Sequence, residues 1–148
     1  MKKFGLMSLL LLLVAGCGEK TYEPRDIVAE TDVCKICNMI IVHEDYAGEI
    51  VLENGDYEIF DDIGCLIDYI NKNGDDEIGA AFIKDNNNKW VNVFKSSYVY
   101  SKDFWTPMNY GVLAFETKEE ANKWIESQGK GELLAYEDLH DFQWGLHH

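Results

Sequence analysis

The chemistry of this chain begins at Cys34-Lys35-Ile36-Cys37-Asn38-Met39. Two thiols and a thioether are soft donors, and soft donors select Cu(I), zinc or iron–sulfur clusters. The thioether discriminates among these. Zinc is held by thiolate, imidazole and carboxylate rather than by methionine, so Met39 moves the choice toward Cu(I). The segment Met39-Ile40-Ile41-Val42 is apolar and β-branched and reads as a buried strand. Alternate strand residues share a face, which puts Cys37, Met39, Ile41 and His43 on one side. Cys37 and Met39, about 6.6 Å apart along such a strand, can lean onto one ion. His43 lies roughly 20 Å from Cys37 on an extended chain. It joins them only if the strand bends, and otherwise is a surface histidine at a strand end.

A second methionine stands in Thr106-Pro107-Met108-Asn109-Tyr110-Gly111, where Pro and Gly specify a loop. Met108 has two readings of equal standing, a thioether ligand or an apolar gap-filler. Cys65 falls beside the apolar stripe of a helix and reads as a small buried hydrophobe. His140, His147 and His148 belong to an aromatic tail that reads as frayed, with weak metal binding as the other use. A zinc site is incomplete here, because a structural site wants four ligands. A thioredoxin-like role for Cys34 and Cys37 needs the Cys-x-x-Cys at a helix N-terminus, and a β-branched run follows instead. An inert Cys34–Cys37 disulfide in an exported protein is the structural alternative; it leaves Met39 and Met108 without a purpose. No phosphate-binding loop, nucleophile triad or paired carboxylates stand out. Asp61-Asp62 is explained by helix capping.

These residues need elements to hold them. Asn54-Gly55 between apolar-rich flanks is a hairpin signal within residues 50–60. From Asp61 the period becomes helical, with Ile63, Leu66, Ile67 and Ile70 on one face and Gly74 as the stop. Residues 80–84, 90–94, 97–100, 112–115 and 133–135 read as further strands. Thr117-x-x-Glu120 is a capping box that opens a helix carrying Ala121, Trp124 and Ile125 inward and closing at Gly129. Phe60, Ile70 and Gly74 are echoed by Phe115, Ile125 and Gly129 at an offset of 55 positions. The expected architecture is therefore α+β, two small related ββαβ units packed together. The units are placed at about 32–86 and 87–136 of a domain spanning 32–140, followed by a tail at 141–148.

The N-terminus is an export signal: Met1-Lys2-Lys3, an apolar run too short to span a bilayer comfortably, then Val14-Ala15-Gly16-Cys17. That last tetrad reads as a lipobox, with residues 1–16 removed and Cys17 acylated. Two or more acyl chains give stable anchoring. The expected location is thus a cell membrane, lipid-anchored on its extracytoplasmic side, with residues 17–31 as a flexible polar tether. With Cys17 used for lipid, Cys34, Cys37 and Cys65 remain, an odd number that leaves a thiol free or ligating. A net charge of −14 argues against nucleic acid as a partner, and 47% hydrophobic residues suffice for a packed core.

Taken in order, the lipobox, Cys-x-x-Cys-x-Met, Phe60-Asp61-Asp62-x-x-Cys65-Leu66 and Thr106-Pro107-Met108-x-Tyr110-Gly111-x-x-Ala114-Phe115 resemble the NosL family. These are copper-binding accessory lipoproteins of nitrous-oxide reductase maturation. The resemblance implies two ββαβ units, Cu(I) as cargo, and delivery to the reductase in association with an ABC-type membrane complex. It implies ligand roles for Cys37, Met39 and Met108, and less firmly for Cys34. Asn38 stands where glycine is common in the motif, and Asn tolerates an unusual φ.

Overall fold

In the computed structural model, residues 18–144 are described, so Cys17, the lipobox, His147 and His148 lie outside the described residues. β1 (Gly48–Leu52) and β2 (Tyr57–Phe60) form the expected hairpin, and α1 (Ile63–Asn73) follows. β3 (Ile78–Lys84) returns to lie on the other side of β1, and β4 (Trp90–Asn92) pairs with β3. The second unit repeats the path with β5 (Ser97–Tyr100), β6 (Val112–Phe115), α2 (Lys118–Gln128) and β7 (Glu132–Leu134). The antiparallel sheets are ordered β2-β1-β3-β4 and β6-β5-β7. Setting β4 aside, each is a ββαβ unit with its first strand in the centre.

The echo in the sequence is an echo in space. β2 and β6, and α1 and α2, begin and end 55 positions apart. Each helix starts on a side-chain cap one residue before its first turn: Asp62 accepts from the Cys65 amide and Thr117 from the Glu120 amide. Each ends at a glycine with positive φ, Gly74 at 78° and Gly129 at 65°. The apolar stripe of α1 is buried as its spacing predicts, with Ile63, Leu66, Ile67 and Ile70 all inward. The division expected near residue 86 falls one strand early, because β4 extends the first sheet rather than opening the second unit.

Two segments are more ordered than the sequence suggests. The polar segment expected as a flexible tether packs on the first sheet from Tyr22 onward. Tyr22 lies against Gly79, and the Arg25 amide donates to buried Glu49 at 2.9 Å. The Arg25 guanidinium grips Asp32 at 2.8 Å, and Ile27 is buried. The Glu49 carboxylate of β1 and the small residue at position 79 of β3 give this arm something to dock on, which local polarity does not reveal. The C-terminal segment is likewise seated rather than frayed through Trp144. His140 Nδ1 lies 2.7 Å from Asn71 Oδ1, Phe142 meets Tyr100 edge-on, and Trp144 meets Tyr110 edge-on.

The two units share one core, in which Phe60, Leu66 and Ile83 of the first meet Tyr98, Val112 and Leu134 of the second. One close approach ties the loop of residues 101–111 to α1. Gly64, in the first turn of α1, lies directly beneath the Tyr110 ring, with Trp144 behind it, and a Cβ there would fall inside the ring. Alanine is ordinarily the better helix residue, by up to about 1 kcal/mol. Here overpacking, typically about 1–3 kcal/mol, should win. Gly64→Ala is therefore expected to lower the urea midpoint. An unchanged or raised midpoint would show that Tyr110 does not seat on α1.

Candidate metal centre

The Cys-x-x-Cys segment is a closed turn, not the lead into a strand. The Cys34 amide donates to the Met39 carbonyl at 2.8 Å, and the Asn38 amide donates back to the Cys34 carbonyl at 3.0 Å. The closure requires a left-handed residue after Cys37, and Asn38 supplies it at φ 58°. Asn thus performs the turn that glycine would otherwise make. The expected buried strand at Met39–Val42 is corrected accordingly. Beyond the turn only a single bridge, Val33 to Ile40, is formed. Ile41 is fully buried, whereas Met39, Ile40 and Val42 are 45%, 51% and 62% exposed. Ile41 and Met39 therefore do not share an environment, as an alternating strand would require.

A backbone bond pins this turn to the first sheet. The Lys35 amide donates to the Ile59 carbonyl of β2 at 2.8 Å, while the Ile41 amide ties the segment after the turn back to the Asp32 carbonyl before it at 2.8 Å. Because β2 leads into α1 through Asp61 and Asp62, this attachment carries the turn to the start of the helix. The sulfurs of Cys34, Cys37 and Cys65 consequently lie within 4.8 Å of one another. Cys34 and Cys65 are buried, Cys37 is half-buried, and all three are free thiols.

Cys65 is the residue that sequence reasoning undervalued. It is as buried as a small hydrophobe would be, at 1% exposed, yet its sulfur faces two other thiols. The available signal was an Asp N-cap three residues before a cysteine, together with the odd thiol count. Met108 combines its two readings. Its side chain packs on the core, while its amide donates to Asp62 Oδ2 at 3.2 Å, the carboxylate whose other oxygen caps α1 at Cys65. Met39 sits on the exposed side of the turn, and its amide points at the Cys37 sulfur. His43 lies outside the thiol cluster. It is exposed and meets the Trp105 ring edge-on at 4.8 Å, so the geometry favours the surface-histidine reading. His140 is held by Asn71 and Tyr136, away from the cysteines.

The electrostatics concentrate one negative charge on one sulfur. Donation from the Cys65 thiol holds Cys34 down to about 5, helped by the amides of Cys37, Asp61 and Ile36 against the cost of burial. The same bond keeps the proton on Cys65, which is pushed far up, and burial adds to this. Cys37 is pushed up to about 11, chiefly by burial. Nearby carboxyls feel the crowding. Burial raises Asp61, the Cys34 thiolate adding to it, and burial raises Asp62 to about 6 despite donation from the Cys65 and Met108 amides. A preformed thiolate beside two protonated thiols is a soft cation site that gives up protons as the ion enters.

The scale fits a single ion. Thiolate sulfurs about 2.3 Å from a metal stand about 4.0 Å apart in a trigonal arrangement, so closure from the observed cluster needs less than about 1 Å of movement.

The comparisons with known proteins agree with this reading of the chain. The family model described as NosL matches residues 26–143, and the chain belongs to that family. No curated protein sequence matches it. Among solved structures, it is similar to the copper chaperone NosL from Shewanella denitrificans, with a TM-score of 0.60 and 17% identity. That match covers 78% of this chain and 96% of the other. At that identity the likeness is one of fold, and it agrees with the α+β expectation.

The shared charge gives a direct test. The thiolate absorbance of the reduced, metal-free protein is expected to rise in a step near pH 5 that Cys34→Ser abolishes. Cys65→Ala should move that step upward, because Cys65 is the principal donor. The folded Cys34 ionises well below its ordinary value of 9.0. Its stability contribution is therefore full above about pH 9 and is lost as pH falls through about 5. A step that stays near 5 without Cys65 would remove the thiol-to-thiolate bond from this account.

Proposed function

We propose that this protein is a Cu(I) metallochaperone, held by lipid on Cys17 at the extracytoplasmic face of a cell membrane. It delivers copper for nitrous-oxide reductase assembly, in company with an ABC-type membrane complex. The observation that carries the copper reading is the meeting of Cys34, Cys37 and Cys65 within 4.8 Å, beside loops bearing Met39 and Met108. Sulfur-only donors suit Cu(I). The lipobox-like tetrad supports the anchoring, and the resemblance to the family supports the choice of recipient.

The chemistry of transfer rests on the asymmetry of the site. Cys34 and Cys65 are buried and fix one side of the ion, while Cys37 is half-buried and Met39 is open to solvent. A recipient's thiolate or imidazole can approach from the Met39 side and replace ligands one at a time, so the copper never leaves as a free ion. Met39 serves as an exchangeable thioether at the mouth. Met108 supplies a second thioether from the second unit when its loop shifts. Binding Cu(I) to Cys34 neutralises the resident thiolate, and ionisation of Cys37 then leaves one net negative charge beside Asp61, whose carboxyl burial and the Cys34 thiolate already push up.

A Cu(I) competition titration against a chromogenic chelator, on the reduced lipid-free domain, tests this. Cys37→Ser and Cys65→Ala are each expected to weaken binding by at least about tenfold, equivalent to about 1.4 kcal/mol. Met108→Leu should weaken it less. Failure of the parent protein to compete would refute the copper reading. It would favour an exported thiol–disulfide or structural lipoprotein with a Cys34–Cys37 bridge, which mass analysis of unreduced protein would then reveal.

A further inference from the structure

Apart from the thiol cluster, the two units also meet through acidic groups. Asp85 closes β3, Glu116 follows β6, and Glu120 lies in the first turn of α2. Carboxylate oxygens of all three lie within 4.8 Å of one another. The ion pairs among the described residues are Arg25–Asp32, Lys35–Glu58, Lys72–Asp68 and Lys130–Asp103, and none takes in these carboxylates. Helix capping and the dipole explain Glu116 and Glu120 well enough by themselves. They do not explain Asp85.

Asp85 is only 3% exposed. Its Oδ1 accepts from the amides of Asn87 and Lys89, at 2.8 and 2.9 Å, and shapes the β3–β4 turn. Its Oδ2 is buried with no hydrogen-bond partner, and so is Glu120 Oε2. Two orphaned carboxylate oxygens in one cluster of three carboxylates are costly to bury and repel each other. A cation between them removes both costs. The turn is already tied to β6, the strand that leads into α2, since the Asn86 amide donates to the Ala114 carbonyl at 2.9 Å. Asn86, Asn87 and Glu120 also line a common shallow cavity of about 310 Å³, with room for water and amide oxygens.

We propose that Asp85, Glu116 and Glu120 form a Ca²⁺ site that staples the β3–β4 turn to the N-terminus of α2. Every donor is a hard oxygen, which excludes Cu(I) and selects a hard divalent ion. Oxygens about 2.3–2.6 Å from Ca²⁺ lie up to about 5 Å apart across the ion, as the cluster does. Mg²⁺, at about 2.0–2.1 Å with strict octahedral geometry, would require a tighter arrangement. Soft and hard cations are thereby sorted to separate sites, and this one is independent of the copper reading.

The test is thermal unfolding of the reduced, copper-free protein in about 10 mM CaCl₂ and in chelator, with calorimetric titration of Ca²⁺ alongside. The expected result is a rise in Tm of roughly 4–12 °C and a dissociation constant of about 10⁻⁴–10⁻³ M. Both should be lost in Glu120→Gln and in Asp85→Asn, which keeps the oxygen that shapes the turn. Cu(I) affinity should be unchanged in Glu120→Gln. A wild-type protein with no Ca²⁺ response overturns the proposal, as does a response that survives in Glu120→Gln. A Tm rise reproduced by Mg²⁺, or by NaCl at matched ionic strength, means counter-ion screening and overturns it equally.

Discussion

The buried carboxylate of Asp62 is the interaction on which the thiol site depends. One oxygen accepts the Cys65 amide and starts α1; the other accepts the Met108 amide and fixes the loop from the second unit. A carboxylate that is 2% exposed loses several kcal/mol of solvation if ionised and unpaired. Two amide donors and the positive end of a helix offset that cost. Folding the second unit onto the first and ordering the first turn of the helix are thus linked through one side chain. The position of Cys65 and that of Met108 are consequences of the same bonds.

Around that anchor the site is built from backbone rather than from long side chains. The turn at Cys34–Met39 is closed on itself by two backbone bonds and held to β2 by a third. Such a frame presents sulfur atoms at set positions without spending charged groups on them. It leaves amides aimed at Cys34, which support the Cys65 thiol in keeping one thiolate in a buried, acidic neighbourhood. The surface beyond the turn is apolar and exposed, with Met39, Ile40, Val42 and Trp105 on view.

The duplicated architecture explains why two units are needed. Each ββαβ unit has one helix against one small sheet, and the cluster the second unit buries by itself, Val99, Phe104, Phe115 and Ala121, is small. The units pool their apolar residues into a shared core, and the joint between them is where chemistry gathers: thiols and a thioether loop at one end of the seam, carboxylates at another.

The sequence by itself determined the elements and their donors. Helical and strand periods, the Asn-Gly hairpin, the two caps with their glycine stops and the 55-residue echo are local signals, and from residue 48 onward the helices and strands stand about where these patterns put them. The soft character of Cys34, Cys37 and Met39 is likewise legible from residue type. Tertiary structure decided which donors meet. Cys65 is 28 residues from Cys37 in the sequence, and no local pattern reports that a turn stapled to β2 will face the first turn of α1. Tertiary structure also cancelled the strand after the cysteines. β-branched residues favour extended backbone, but a strand needs a partner, and the left-handed Asn38 leaves this segment only one bridging residue. The order of the N-terminal arm and the C-terminal aromatics was invisible for the same reason: docking depends on the surface that another part of the chain presents.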